Sequence, residues 1–339
     1  AAAVLRLTAN VVYLNDGEIA VLEPPDYKIF NIHKEQIKRA PEVLDWDIET
    51  AKKGKYPHFM LKEIHEEPEA VVNSMRGRTD IENGTAVLGG LASVESRLAE
   101  VEKIHIGACG TAYLAGLTGK YMLEEYAGLP AEIDFASEIR YRKPIFGKND
   151  AFIAISQSGE TADTLAGVYE AKQKNILALG IVNVVGSTIA RETDAGVYQH
   201  VGPEIGVAST KAFVSQLTIL ALLTVFLGRK RSMSLVMGKR ILEELSVIPK
   251  KMQEILDDAE TIKALASKYS HYKDFFYLGR KYNYPIALEG SLKLKETSYV
   301  HAEAYPTGEM KHGAIALIDE NFPSVIIATQ DSVYEKNIS

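Results

Sequence analysis

The stretch FIAISQSGETADT, residues 152–164, is the clearest indication of the fold class. It begins with mostly apolar residues, typical of a buried strand, and continues through a hydroxyl-rich turn into a helix-like pattern. Ligands of open α/β sheets bind beyond the carboxyl ends of the strands, where the next helix start offers unsatisfied N–H groups and partial positive charge. The hydroxyls of Ser156, Ser158 and Thr161, beside the small Gly159, therefore predict a phosphate site.

The same pattern has a simpler interpretation, in which Ser158 or Thr161 only caps the helix. Two further junctions in this region also carry hydroxyl groups, namely Thr111 in CGTAY and Ser209 in GVASTKAF. Three hydroxyl-rich junctions favour a phosphorylated ligand. Glu160 must then point outward, because its carboxylate would repel a phosphate.

Short strands alternate with helices from about Lys103 onward, as in KIHIGACGTAYLAGLTGKYMLEEYAG and ILALGIVNVVGST. This alternation predicts an α/β fold with a doubly wound parallel sheet and helices on both faces. The longest apolar run, LTILALLTVFL at 217–227, is well short of the roughly 20 residues that span a bilayer. We predict that it is a buried helix.

An internal repeat predicts two lobes of the same fold. FFYLGRKYNYPIALEGSLKLKE resembles KIHIGACGTAYLAGLTGKYMLEE, which places Gly107 and Gly279 172 residues apart. SVIIATQDS resembles AFIAISQSG, which places Gln157 and Gln330 173 residues apart. Because the chain stops soon after the second of these loops, we expect the second lobe to be truncated.

Composition excludes several classes of function. The 339 residues carry a net charge of −7 with no dense Lys/Arg block, which argues against a nucleic-acid partner. The single cysteine, Cys109, permits no internal disulfide and fits a reducing, cytoplasmic location. No His/Cys/carboxylate cluster has metal-ligand spacing, so no metal or other cofactor is expected. No signal peptide is recognisable, and no membrane association is expected.

The N-terminal stretch VVYLNDGEIAVLE is predicted to form a hairpin, with strands at Val11–Leu14 and Glu18–Leu22 joined by a turn at 15–17. Pro24-Pro25 is expected to break the structure after it. HFMLKEIHEEPEAVVNSM has apolar residues at helical spacing and a Pro68 interruption. We interpret it as a linker that becomes a docking helix.

Longer motifs identify a family. ALEGSLKLKETSYVHAEAYPTGEMKHGAIALID closely resembles the glutamine–fructose-6-phosphate aminotransferases (isomerizing), also called glucosamine-6-phosphate synthases. ISQSGETADTL, EIGVASTKAF, ACGT and ASEIRYRKP resemble the same family in the same order. Its members have a glutaminase domain followed by two sugar isomerase (SIS) domains. The family transfers ammonia from glutamine to fructose 6-phosphate and isomerises the product to glucosamine 6-phosphate, in hexosamine biosynthesis.

The resemblance assigns site residues. Positions that match the family's sugar-phosphate and sugar contacts are Thr111, Ser156, Gln157, Ser158, Thr161, Val207 and Ser209. Catalytic positions are Lys293, Glu296 and His312. Glu296 matches the carboxylate that moves a proton between C1 and C2, and His312 matches a ring-opening histidine that a neighbouring subunit supplies, which implies a homodimer. Spacing alone favours a solvated helix pair for Lys293 and Glu296 and an ordinary loop histidine for His312, and only the match of the surrounding motifs reverses this for Glu296 and His312.

The resemblance also implies domain bounds and missing parts. Residues 1–33 match the end of a glutaminase domain, 34–84 a linker with docking helices, 85–240 a first SIS domain, and 241–339 an incomplete second one. The family's N-terminal nucleophilic cysteine and its C-terminal site lysine have no counterpart here. The chain is therefore expected to be a fragment that does not hydrolyse glutamine.

Two other functions compete with this one. A stand-alone sugar-phosphate isomerase is disfavoured by the glutaminase-like hairpin before the linker. A non-catalytic SIS module that binds a sugar phosphate is disfavoured by KLKE and EMKHG, because a sensor needs no proton shuttle.

Overall fold

The computed structural model describes residues 8, 10–15, 17–43 and 52–338. The chain divides into two compact units, Ala1–Phe59 and Met60–Ser339. The domain bounds implied by the family resemblance stay a prediction.

The first unit is built from short antiparallel strands: β1 (Asn10–Val11), β2 (Ile19–Glu23), β3 (Asp26–Phe30), β4 (Gln36–Ile37) and β5 (Glu42–Val43). Strands β2, β3 and β4 form one sheet in that order, and β1 pairs with β5.

The predicted pairing of 11–14 with 18–22 is wrong. β2 instead pairs with β3 from Ile19↔Phe30 to Glu23↔Asp26. Pro24-Pro25, expected to break the structure, forms the two-residue connection between these strands. Prolines fit there because neither loop position has to donate an N–H to the ladder. Asp16, the centre of the predicted turn, lies outside the described residues.

The second unit opens with helices α1 (Phe59–His65) and α2 (Glu67–Met75), which confirms the helical pattern predicted for this stretch. The predicted interruption at Pro68 is confirmed, since α1 ends at His65 and α2 begins at Glu67 with Pro68 in its first turn, where a missing N–H costs nothing. Strands β6 (Thr79–Asp80) and β7 (Thr85–Ala86), a 3₁₀ helix at Gly89–Val94 and α3 (Glu95–Ala99) lead into the first lobe.

The first lobe alternates strands and helices as predicted. In chain order these are β8 (Lys103–Ala108), α4 (Gly110–Ala127), β9 (Ala131–Phe135), α5 (Ala136–Ile139), β10 (Asp150–Ser156), α6 (Ala162–Gln173), β11 (Leu177–Val182), α7 (Thr188–Glu192), β12 (Ala195–Tyr198) and α8 (Lys211–Arg229). The five strands are parallel in the order β12-β11-β10-β8-β9. In this flavodoxin-like order the direction of winding reverses between β8 and β10, which is where such folds bind ligands.

Both faces of this sheet are buried, and every residue of β10 is buried. Phe152 packs into the cluster on one face and Ile153 into the larger cluster on the other. The predicted apolar helix is α8, which meets length and composition criteria for a membrane span. Because 89% of its most apolar window is buried inside the protein, it is the core helix expected from the sequence.

The second lobe contains α9 (Leu235–Asp257), α10 (Ala259–Tyr269), β13 (Asp274–Gly279), α11 (Asn283–Ser298), β14 (His301–Pro306), 3₁₀ helices at Thr307–His312 and Ala314–Leu317, β15 (Ser324–Ile326) and α12 (Tyr334–Ile338). Its parallel strand order, β14-β13-β15, repeats the order β9-β8-β10 of the first lobe. The predicted pair of doubly wound parallel-sheet lobes is therefore confirmed. Helices α4 and α11 pack together where the lobes meet.

Candidate functional site

A cavity of about 270 Å³ opens at the carboxyl ends of β8 and β10, at the reversal of strand order. It is lined by Cys109, Thr111, Ala112, Ile155, Ser156, Gln157, Ser158, Thr161, Val207, Ser209, Gln216 and Glu296. All seven residues predicted to contact the sugar phosphate are in this set, together with the predicted catalytic Glu296. The structure therefore brings together segments that lie up to 185 residues apart in the sequence.

The hydroxyl loop after β10 is folded tightly on itself. Ser156 Oγ accepts a hydrogen bond from Gly159 N at 3.0 Å and lies 3.0 Å from Thr161 Oγ1. Gly159 has φ +68°, and a Cβ there would overlap the side chain of Ser187. Only glycine allows this turn, because other residues are strained at that φ and have no space.

Helix α6 starts directly behind this loop. Thr161 is its N-cap residue, yet its side chain makes no hydrogen bond to the helix. Ser158 Oγ accepts from Glu160 N at 3.2 Å, outside the helix. The capping interpretation therefore does not account for these hydroxyls.

Glu160 points away from the cavity, as the phosphate hypothesis requires. Its side chain is exposed, and its Oε1 accepts a hydrogen bond from Thr188 N at 2.8 Å, at the start of α7. The carboxylate therefore interacts with another helix start and leaves the hydroxyl loop free of negative charge.

The second wall of the cavity comes from the loop before α8. Val207 is fully exposed there, and Ser209 Oγ donates a hydrogen bond to Glu204 Oε2 at 2.7 Å. An exposed valine at the rim of a polar cavity leaves apolar surface available to a ligand.

The third wall is a charged face of α11 from the second lobe. Lys293 Nζ lies 2.6 Å from Glu296 Oε2 and 3.3 Å from Glu289 Oε1, and donates a hydrogen bond to Thr111 Oγ1 at 3.0 Å. Thr111 Oγ1 in turn lies 3.0 Å from Glu289 Oε1 and donates to it. One ammonium thus links two carboxylates and connects both lobes at the cavity.

Sequence reasoning missed Glu289, which is only 6% exposed. Burial raises the pKa of its carboxyl group, opposed by the nearby Lys293 and the hydrogen bond from Thr111. The sequence does contain a pattern that could have identified Glu289, because positions 289, 293 and 296 have the spacing of one helix face. Gln216 was missed too; it is 1% exposed on α8, and its Oε1 has no hydrogen-bond partner in the described part of the chain.

His312 is not brought to this cavity. It ends the 3₁₀ helix Thr307–His312, is exposed, and is absent from the lining residues. The expectation that it acts from a neighbouring subunit stays a prediction. Cys109 is half-buried at the rim, with Sγ 3.9 Å from Thr164 Oγ1.

A larger groove of about 420 Å³ lies between α4, α8 and α9, but its lining is predominantly apolar, and it lacks the converging hydroxyls of the site. Within residues 52–338 and the described N-terminal segments, no group of three or more His, Cys, Asp or Glu side chains could hold a metal ion. The hydroxyl-lined cavity is therefore the candidate site.

The SIS domain family matches residues 97–226 and 268–337, which correspond to the two lobes. The chain belongs to the SIS domain family. The glutamine–fructose-6-phosphate aminotransferase (isomerizing) of Chlorobaculum tepidum is 51% identical over 340 residues, covering 100% of this chain and 55% of that protein. That of Thermus thermophilus is 47% identical over 338 residues, covering 99% of this chain and 55% of that protein. The chain thus spans about half the length of these relatives.

Two solved structures are also similar to this chain. The C-terminal domain of glucosamine-fructose-6-phosphate aminotransferase from Francisella tularensis superimposes with a TM-score of 0.81 at 41% identity, over 84% of this chain and 80% of that one. The predicted relationship to the isomerase part of these SIS enzymes is therefore confirmed. Glucosamine-6-phosphate deaminase from Thermotoga maritima, with a TM-score of 0.64 at 22% identity over 82% of this chain and 80% of that one, shares the fold.

Proposed function

We propose that the cavity binds fructose 6-phosphate or glucosamine 6-phosphate, and that the chain carries the isomerase part of an enzyme that makes glucosamine 6-phosphate from fructose 6-phosphate and glutamine. The observation that carries this proposal is a single cavity formed by the hydroxyl loop after β10 and the charged face of α11. The names of the relatives support the same reaction.

The phosphate lies against the loop 156–161 in this proposal. Hydroxyl donors and the positive start of the 12-residue helix α6 favour an anion there without a lysine. Thr111, at the start of α4, supplies a further hydroxyl to the lining of the cavity.

The sugar extends from the phosphate towards α11. Isomerisation removes a proton from C1 and returns one to C2, so that one carboxylate can serve both steps. Glu296 is placed for this role, because it lines the cavity and its side chain is 35% exposed. Lys293 orients Glu296 through the 2.6 Å ion pair, and Glu289 forms a second ion pair with the same ammonium group.

Ring opening is assigned to His312 of a second copy in a homodimer, since this histidine is exposed and outside its own chain's cavity. An imidazole can both donate and accept a proton, which suits proton transfer to a ring oxygen. Ammonia released from glutamine elsewhere in the enzyme would supply the nitrogen. The cytoplasmic location predicted from the sequence fits this metabolic role.

The phosphate assignment is tested by calorimetric titration of fructose 6-phosphate into Ser158→Ala. We expect the affinity to fall about tenfold, because a hydrogen bond to a charged group is lost. Ser246→Ala is the control, since this exposed hydroxyl on α9 only bonds Glu243 O. Equal affinity of Ser158→Ala and the unaltered chain would reject the phosphate assignment.

A further inference from the structure

The loop at 199–210 between β12 and α8 forms one wall of the site without any regular secondary structure. It presents Val207 and Ser209 to the cavity. A loop of this kind contributes to binding only if its backbone is held in place, because ordering it on binding would cost affinity. Asn183 holds the first half of the loop through Val201 N and Gly202 O, and two carboxylates hold the second half.

Glu204 holds the end of the loop that enters α8. Its Oε1 accepts hydrogen bonds from Thr210 N at 2.9 Å and Ala212 N at 3.1 Å. Its Oε2 accepts from Ser209 Oγ at 2.7 Å. A carboxylate at a helix N-terminus is favoured by the helix dipole, which makes Glu204 an internal cap for α8.

Glu63 holds the middle of the loop from outside the lobe. This α1 side chain is 2% exposed, and its Oε1 accepts hydrogen bonds from Ile205 N at 2.6 Å and Gly206 N at 3.0 Å. A Cβ on Gly206 would lie 2.5 Å from Glu63 Oε2, so the close approach requires glycine. The two amides that Glu63 binds directly precede Val207.

An ion pair connects the junction between α1 and α2 to the first residue of α8, which directly follows the loop. Lys211 Nζ lies 2.8 Å from Glu66 Oε2, and the lysine side chain is only 6% exposed. Lys62 Nζ contacts the other oxygen of Glu66 at 3.3 Å. The segment α1–α2 therefore contacts the chain both before Val207 and after Ser209.

We propose that Glu63 is a positioning residue for sugar binding: by binding the amides of Ile205 and Gly206 it sets the loop so that Val207 and Ser209 face the sugar. This inference rests on the proposed function. It separates two parts of the site, since the hydrogen bonds of Glu63 go to the sugar wall, whereas the hydroxyls of the phosphate loop at 156–161 bond within that loop.

The test compares Glu63→Ala, Glu63→Gln and the control Glu69→Gln in the whole chain. Alanine removes both acceptors and leaves two N–H groups without partners. Glutamine retains one carbonyl oxygen, which can accept from both amides as Oε1 does, and it loses only the 3.2 Å bond from Gly206 N to Oε2. Glu69 is an exposed carboxylate on α2 and provides a charge-matched control.

Two ligands are titrated by calorimetry, fructose 6-phosphate and inorganic phosphate. For Glu63→Ala we expect affinity for fructose 6-phosphate to fall about tenfold while affinity for inorganic phosphate stays unchanged. Glu63→Gln should stay within about threefold of the unaltered chain for both ligands, and Glu69→Gln should match it. Hydrogen exchange at Ile205 and Gly206 should accelerate at least about tenfold in the alanine variant only.

Three outcomes overturn the proposal in distinguishable ways. If Glu63→Ala binds fructose 6-phosphate as tightly as the unaltered chain does, the positioning role is wrong and the proposed function stands. If both ligands lose affinity equally, Glu63 has only a general structural role. If the unaltered chain binds no fructose 6-phosphate, the proposed function fails, and this inference with it.

Discussion

Glu67 makes the stability of this protein depend on pH in a predictable direction. It is the first residue of α2. Burial, followed by the nearby charge of Glu204, raises the pKa of its carboxyl group from 4.5 to about 7. We predict that Glu67→Gln stabilises the protein at pH 8 and does so much less at pH 5.

The sign follows from proton binding. The folded state holds the Glu67 proton up to about pH 7, whereas the unfolded chain releases it near 4.5. Stability therefore falls as the pH rises between these values, and the full cost is present above pH 7. A rise from 4.5 to about 7 corresponds to roughly 3 kcal/mol. Partial solvent access and the positive start of α2 reduce this to about 1–2 kcal/mol.

The assay is the thermal unfolding midpoint at pH 5 and pH 8. For a unit of this size, about 1–2 kcal/mol corresponds to a gain of roughly 2–6 °C at pH 8. Glu69→Gln on the same helix is the control, and it should show no comparable gain because Glu69 is exposed. A gain of the same size at both pH values, or none at pH 8, would refute the assignment of a raised pKa to Glu67.

The remaining predictions concern the site and the core. Glu296→Gln in the intact protein should abolish solvent exchange of the substrate C1 and C2 protons, followed by NMR; exchange at the normal rate contradicts a proton-shuttle role. Gly159→Ala should weaken fructose 6-phosphate binding at least about tenfold, because its Cβ would overlap Ser187 and its φ is +68°; calorimetry showing unchanged affinity would mean the loop tolerates a side chain. Phe152→Ala should destabilise the fold by about 3–5 kcal/mol in denaturant titrations, because this ring is completely buried; a loss below about 1 kcal/mol would show that the core collapses around the gap.

Several features of this protein could be predicted from local patterns. The alternation of apolar strands and helices gave the parallel sheet, since strand and helix periodicities are properties of a few consecutive residues. The offset of the internal repeat, seen between Gly107 and Gly279, predicted the second lobe. The hydroxyl loop could be placed at a ligand site because the carboxyl ends of parallel strands share one edge of the sheet.

Pairing between neighbouring short strands was less predictable. The turn-like residues at 15–17 suggested one hairpin, whereas the structure uses Pro24-Pro25 as the connection between β2 and β3. Turn propensity is a local preference and does not by itself choose between two adjacent candidate turns.

Short windows of sequence were enough to predict most of the elements, the repeat and the hydroxyl loop, because these depend on backbone preferences and apolar spacing between near neighbours. Which distant polar groups meet was settled by the packing of the fold, which pairs Glu289 with Thr111 between the lobes and Glu63 with the amides of Ile205 and Gly206. Those partners lie more than 140 residues apart. Which distant groups come within hydrogen-bond distance is fixed by how helices pack against the sheet, and the cost of leaving a buried carboxylate or amide unpaired then selects the pairs.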